Sequence, residues 1–277
     1  MVEQITLLRR RYGIRQIQFY DDTFTVAKKN VLEFCRLMVE QRVDVTWTAY
    51  VRGDCFNHEM AAAMKRAGCH QVLIGIETAD PGIMRNIGKP IDTARYAETV
   101  TIAHAHGIEV RGSFIIGNVG ETHDTMRRTL AFAKDLDLDL FQLSISAPYP
   151  GTQLYRYAAT QGLLVHRNWS EYGQGKVLVR LPDLTPDEIY AFERYAFRSF
   201  YLRPRMVLRQ FRRVTSARHL RDLFMGLGAL VVGAALYRNP KWDCWKRLRE
   251  SDFQDLPIAA PDVPRLTYAL RQETVFS

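Results

Sequence analysis

Cysteine is scarce and dispersed in this 277-residue chain: no two of Cys35, Cys55, Cys69 and Cys244 stand at the spacing of a metal clip. Nothing at the N-terminus resembles a secretory signal, so a reduced, cytoplasmic protein is the simplest reading. Long apolar runs are missing as well. The charge-free stretch from Leu223 to Tyr237 is 15 residues long, whereas a bilayer span needs about 20. It reads either as a buried capping helix or as an interfacial helix held by the flanking Arg218, Arg221, Arg238 and Lys241, which would make the protein membrane-peripheral. There is no low-complexity tract. No RNA-binding or helix-turn-helix pattern is present, which disfavours nucleic acid although aromatics interleave with arginine from Phe197 to Phe211. Acids are the last scarcity. Between Arg194 and Arg249 only Asp222 and Asp243 face 14 Lys and Arg, a local charge of +12 within a total of +8. That segment is either a solvated basic helical face or a surface for an anionic partner.

What is present is a core-forming chain, 47% hydrophobic and 25% charged, with a repeated grammar. The run from Ile17 to Phe24 is a short β-branched and aromatic strand that ends in Asp21 and Asp22, and a helix-forming segment from about Ala27 to Gln41 follows. The same event recurs at Val45 to Val51 before Arg52 and Asp54, and at Gln71 to Ile76 before Glu77. It returns at Glu109 to Ile116 before Gly117, and at Leu140 to Ile145 before Ser146 and Pro148. Helix, glycine, apolar residue, strand is the order at Gly13, Gly68 and Gly107. Parallel strands joined by right-handed helical crossovers follow from it.

In such a fold the C-terminal strand ends share one mouth, where Asp21, Asp22, Arg52, Asp54, Glu77, Glu121, Ser144 and Ser146 converge. Each acid taken singly could equally be the N-cap of the next helix; together they favour a pocket. Residues 2 to 12 read as a helix with Ile5 and Leu8 on one face, so the chain opens on a helix and leaves the Ile17 strand without a partner on one side. The expected fold is α/β, a partial (β/α)6 TIM-like barrel lacking its first strand, with a C-terminal helical extension.

The barrel portion covers residues 1–165. A Gly-rich linker through Gly173 and Gly175 covers 166–184, a basic helical extension 185–250 and an irregular tail, with Pro257, Pro261 and Pro264, 251–277. Thr185, Pro186 and Glu188 form a helix start with N-cap, first-turn proline and capping box. The helix places Ile189, Phe192, Tyr195, Ala196 and Phe200 on or near one stripe.

Several motifs are more specific. Phe19-Tyr-Asp-Asp-Thr-Phe-Thr25, Trp47, Arg52-Gly-Asp54, Met64-Lys-Arg-Ala-Gly68-Cys69, Gly75-Ile-Glu77, Lys89, Gly112-Ser-Phe-Ile-Ile-Gly117 with Glu121-Thr122, and Pro150-Gly-Thr152 occur in that order. In order and spacing they resemble the catalytic core of radical S-adenosylmethionine (SAM) enzymes, most closely the branch with a cobalamin-binding domain. The resemblance implies a barrel that binds SAM across its strand ends. By that likeness the Tyr20-Asp21-Asp22 region holds the methionine amino group, Glu77 reaches the ribose, and Gly112, Ile115, Gly117 and Glu121 belong to the strand near adenine and methionine. Arg52 suits the cosubstrate carboxylate, because a planar guanidinium binds carboxylate bidentately.

The sequence departs from that family in one respect. Its Cys-x3-Cys-x2-Cys loop is absent, and three thiolates are what a 4Fe-4S cluster needs. Cys35 falls inside a predicted helix, Cys69 begins a strand and Cys55 lies near a strand end, so buried structural thiols are the better reading. The expectation is an N-terminally truncated core that does not turn over alone, dependent on a separate cluster- or cobalamin-binding piece and acting on a hydrophobic, lipid-like or anionic small molecule. Two other classes remain open: a lyase-like or aldolase-like barrel using the mouth carboxylates, and a non-catalytic scaffold that binds a membrane surface or an anionic ligand. Anaerobic reconstitution with iron and sulfide, followed by absorbance and electron resonance, is expected to give no stoichiometric cluster on these 277 residues; one cluster per chain would refute this reading of the cysteines.

Overall fold

The computed structural model describes residues 1–232 except 22–23, 90–92, 166–171, 173–174 and 213–216. The expected tail at 251–277, the last part of the extension and Cys244 therefore lie outside the described residues, as does Asp22. Residues 1–233 form one compact unit.

The opening helix α1 (Val2–Tyr12) stops where left-handed backbone is free to form: Gly13 sits at φ 67° and its N–H bonds the Arg9 carbonyl at 3.1 Å. Val2 and Ile5 are buried, but Leu8 is 40% exposed. The apolar contact of α1 is thus made by its first turns, against α2 (Lys28–Glu40), and not by an Ile5–Leu8 stripe.

Five strands follow: β1 (Gln16–Phe19), β2 (Thr46–Val51), β3 (Cys69–Glu77), β4 (Glu109–Ile116) and β5 (Leu140–Ile145), all parallel and ordered β1-β2-β3-β4-β5. Between them run α3 (His58–Arg66), α4 (Pro81–Asn86), α5 (Thr93–Ala105) and α6 (His123–Asp135). This is a half-barrel, the partial TIM-like fold that the strand-helix repeats imply.

Side chains alternate across the pleat. Val72, Ile74 and Ile76 on β3 and Val110, Phe114 and Ile116 on β4 are buried on the convex side, where the helices pack. At the β1 end of that layer Trp47 meets Phe19 and Phe34 edge-on, at 5.5 and 5.6 Å, and donates its indole N–H to the Ala67 carbonyl at 2.7 Å. The other face is half-exposed and more polar: Tyr50, Gly75, Ser113, Ile115 and Ser144 occupy it toward the C-terminal strand ends.

Beyond β5 come α7 (Gln153–Thr160), α8 (Pro186–Tyr201), α9 (Pro204–Arg212) and α10 (Ala217–Val232). Thr185 and Glu188 form the capping box that the sequence predicts, and Pro186 opens α8. Ile189, Ala196 and Phe200 are buried, but Tyr195 is 56% exposed and stands off the stripe. Phe200 stacks on Phe141 at 4.8 Å, and the Tyr201 hydroxyl both accepts from the Phe141 N–H and donates to the Phe141 carbonyl, each at 2.8 Å. Arg203 donates to the Lys134 carbonyl at 2.7 Å, and Arg209 pairs with Asp137 at 2.5 Å and Asp139 at 3.2 Å, which ties α9 to the same body. Among the described residues no helix is long and apolar enough to cross a membrane.

Tyr201 completes the outer hydrogen bonding of β5. Tyr201→Phe leaves two backbone groups of Phe141 short of a partner and is expected to cost about 1–3 kcal/mol in urea unfolding; a loss under about 0.5 kcal/mol, the scatter of neutral surface changes, would show that water replaces the phenol.

Candidate functional site

The site is built around an irregularity at the end of β3. Gly75 pairs with Ser113, but the next paired residue on β3 is Glu77, opposite Phe114, so β3 carries an extra residue there. Glu77 adopts φ 66°, left-handed backbone that a glutamate enters only at a cost. The turn carries its carboxylate back over Gly75: a Cβ on Gly75 would stand 2.5 Å from Glu77 Oε1. Lys89, from the segment after α4, bonds both the Gly75 carbonyl at 2.5 Å and Glu77 Oε1 at 2.9 Å. Gly75 is therefore glycine because the carboxylate and the ammonium occupy the space of its side chain.

Glu77 and Lys89 line two adjoining hollows. One, of about 170 Å³, is walled by Tyr50, Arg52, Gly53, Gly75 and Ser113. The other, of about 730 Å³, is walled by Ile115, Asn118, Ser146, Gln153, Leu154 and Tyr157. Two further turns shape them. Thr25, the last residue of the Phe19–Thr25 motif, is buried and accepts the Arg52 N–H at 3.2 Å, tying the loop after β1 to the end of β2. Gly53 lets α5 approach: a Cβ there would sit 3.1 Å from Thr99 Oγ1 and 3.5 Å from the Tyr96 ring. Tyr96 is fully buried and its hydroxyl finds no partner among the described residues.

The expected site residues divide into three groups. Arg52, Glu77, Ile115 and Ser146 come together on the hollows. Ser144, paired with Ile115, lies on the same face of the sheet. Tyr20 and Asp21 stand on the rim, Tyr20 76% exposed with its ring 6.0 Å from that of Tyr50. The structure keeps three others back. Gly112 faces the helices, where a Cβ would meet Leu138 at 2.6 Å, so its glycine serves packing. Gly117, at φ 79°, makes the turn out of β4. Glu121 is 2% exposed and holds that turn: one oxygen accepts from the Asn118 N–H and side-chain amide at 3.4 Å each, the other from Thr125 Oγ1 at 2.7 Å. Burial pushes its carboxyl up, the Thr125 and Asn118 bonds opposing.

Arg52 is already engaged. Its fork grips Asp54 through bonds of 3.0 and 2.7 Å, and that grip holds the Asp54 carboxyl down at about 2. The pair is an internal clasp of the Arg-Gly-Asp turn, and only what the clasp leaves of the guanidinium can meet a carboxylate. Asn118, Gln153 and Tyr157 line the larger hollow without having been singled out. They sit in a turn and on a helix whose sequence carries no strand-end pattern.

The described cysteines, Cys35, Cys55 and Cys69, do not form a metal site. Cys35 and Cys69 are 2% and 1% exposed, and burial pushes both thiols up to about 12; Cys55 is half-buried, its thiol raised by the same cause. Among the described residues no group of three His, Cys, Asp or Glu could hold a metal ion. An iron-sulfur cluster therefore does not fit these side chains.

The class defined by this geometry is a parallel βα half-barrel with its polar cavity at the strand ends. Residues 1–133 match the sequence profile of the radical SAM superfamily, as the motifs implied. An uncharacterised methyltransferase of Pyrococcus horikoshii is 40% identical over 209 residues, 76% of this chain and 46% of that protein. The cytidylyl-2-hydroxyethylphosphonate methyltransferase of Streptomyces wedmorensis is 27% identical over 176 residues, 59% of this chain and 32% of its own length. Among solved structures, the radical SAM methyltransferase TsrM of Kitasatospora setae, with cobalamin and a 4Fe-4S cluster bound, has a TM-score of 0.52 and 20% identity over 68% of this chain and 39% of its own. The cobalamin-dependent SAM radical enzyme OxsB with aqua-cobalamin bound has a TM-score of 0.59 and 13% identity over 82% and 40%. These two share the fold. The chain spans less than half the length of each of these relatives.

If the left-handed turn at Glu77 is retained for its carboxylate, replacing that residue by glycine should relieve backbone strain while losing only a partly exposed ion pair. Glu77→Gly is expected to unfold in denaturant within about 1 kcal/mol of the parent, and a loss well above that would mean Glu77 is there for stability.

Proposed function

We propose that this chain is the nucleoside-binding half-barrel of a radical SAM methyltransferase of the cobalamin-dependent branch, acting on a small molecule. The observation that carries the reading is the Gly75–Glu77–Lys89 turn, which spends backbone strain to hold a carboxylate over the junction of two hollows. A carboxylate so placed accepts both hydroxyls of a ribose diol. Asn118 and Ser146 offer polar groups beside it, and Ile115, Leu154 and Tyr157 an apolar wall for a purine. The methyltransferase relative at 40% identity supports the reaction class, and the two cobalamin-bearing neighbours support the branch.

A bound cluster would supply one-electron reduction of SAM in the chemistry of the family. No set of side chains that could hold it is among the described residues, and the chain's own part is to bind and orient the nucleoside and keep water from it. Tyr20 and Asp21 on the rim take the amino-acid end of SAM, and the smaller hollow beside Arg52 and Ser113 takes the substrate. On these 277 residues alone no turnover is expected. A lyase-like reading needs a Schiff-base lysine or a pair of carboxylates at the strand ends; Lys89 is paired with Glu77, and Asp54 with Arg52. The excess of Lys and Arg in the C-terminal sequence carries a separate reading, contact with an anionic surface.

Equilibrium dialysis tests the nucleoside assignment. Because the cavity fits the adenosine end, methylthioadenosine should bind about as well as SAM, both weakly. Glu77→Gln should weaken both by about tenfold, the worth of a hydrogen bond to a charged group. Binding of neither nucleoside, or binding that the substitution leaves unchanged, removes the assignment.

A further inference from the structure

The concave face of the sheet carries an arginine that the strand-end mouth does not use. Alternation puts Arg111 on the same side of β4 as Ser113, which walls the smaller hollow, and Ile115, which walls the larger, while Val110 and Phe114 are buried under the helices. Arg111 is one pleat below Ser113, about 6.6 Å along the strand. Across the sheet the register runs Tyr50, Leu73, Arg111, Leu140. Tyr50, in that same row, also walls the smaller hollow. The row therefore borders the hollow on the side away from the strand ends, and its charge is the Arg111 guanidinium.

The other charges around the hollow are engaged with one another. Arg52 grips Asp54, and Lys89 holds Glu77. Glu109, one pleat further down β4, accepts from Gln71 Nε2 at 3.1 Å. Arg111 makes no hydrogen bond or ion pair with any described residue. An arginine out in solvent needs none. This one is half-buried, with Leu73, itself 1% exposed, and Leu140 beside it on the neighbouring strands. There the charge is partly stripped of water, and a counter-charge is worth more than at the surface. The planar fork of a guanidinium matches the paired oxygens of a carboxylate or a phosphoryl group.

We propose that Arg111 anchors an oxyanion of the substrate, a carboxylate or phosphoryl group, and so selects anionic small molecules for the smaller hollow. At about 170 Å³ that hollow admits a small end group. The inference rests on the reading of this hollow as the substrate's place and adds the charge of what enters it. It also divides the work of the two arginines: Arg52 is clasped by Asp54, whereas Arg111 keeps its whole fork for a ligand.

Side-chain NMR of the whole chain labelled with 15N-arginine tests it, with propionate, methylphosphonate and uncharged propionamide as probes. Propionate or methylphosphonate, according to the oxyanion the site takes, should shift the Arg111 Nε–H signal saturably, and propionamide should not. The signal is assigned by its loss in Arg111→Gln, which should bind the anion at least about tenfold more weakly. Arg111→Lys keeps the charge without the fork and should fall between the two; it stands in if Arg111→Gln does not fold. Arg95→Gln, on exposed helix surface, should bind like the parent. Methylthioadenosine separates this site from the nucleoside site, because its affinity should survive Arg111→Gln within about twofold. Nucleoside binding without anion binding removes this inference alone, and anion binding at Arg111 without nucleoside binding supports it while removing the nucleoside assignment. No saturable shift with either anion, an equal response to propionamide, or anion binding that Arg111→Gln leaves unchanged overturns the proposal.

Discussion

The pleat of five parallel strands is the constraint from which the rest follows. Because neighbouring residues point to opposite faces, the same strands supply a convex apolar layer for the helices and a concave face that water or a ligand can reach. A slip of one residue in any register would exchange the two. Trp47, Val72, Ile74, Phe114 and Phe141 are the residues that forbid the slip, since each would be moved from the helix layer into the open face. The aromatic group of Phe19, Phe24, Phe34 and Trp47 fixes one end of the sheet, and Phe141 with Phe200 fixes the other.

Against that regularity, the extra residue at the end of β3 stands out as the place where the pleat is broken and chemistry is placed. A regular strand would send residue 77 to the concave face as part of the ladder. The bulge instead lifts its carboxylate over Gly75, and Lys89 fixes it there from a segment that belongs to no strand. Three requirements meet: a glycine with no room for Cβ, a glutamate in left-handed backbone and a lysine that reaches both. Strain of this kind persists only when the surroundings over-determine it, and here two hydrogen bonds and a missing side chain do so.

Much of this was readable from the residues. All five strands and their parallel order, the Gly13 stop and the Thr185 start depend on short-range rules: apolar runs, left-handed glycine and capping hydroxyls. A strand's end is visible in the sequence and its neighbours' ends lie beside it, which is why Arg52, Glu77, Ile115 and Ser146 share the hollows. Gly112 differs. A glycine in a strand signals close approach without saying from which side, and the approach comes from Leu138 on the convex face. Glu121 differs again, because an acid just past a strand end looks the same whether it faces a cavity or is folded back onto Asn118 and Thr125. Leu8 continues a helical stripe past the point where its helix meets a partner, and Tyr195 stands beside the buried stripe of Ile189, Ala196 and Phe200; periodicity alone reports neither where contact ends nor how wide it is.

The same limit governs the cysteines, and there it favours the sequence. Reactivity needs a thiolate, and a thiolate needs either solvent or a positive neighbour. Cys35 and Cys69 have neither in sufficient measure: burial raises both thiols to about 12, and the positive charge of Arg66 near Cys35 does not reverse it. They are small apolar fillers of the α2–α3–β3 core, which is what their positions inside a helix and at the start of a strand imply. The strand-end rim at Tyr20 and Asp21 lies beside β1, whose far edge has no neighbour among the described residues. That open edge sets a row of backbone donors and acceptors next to the rim.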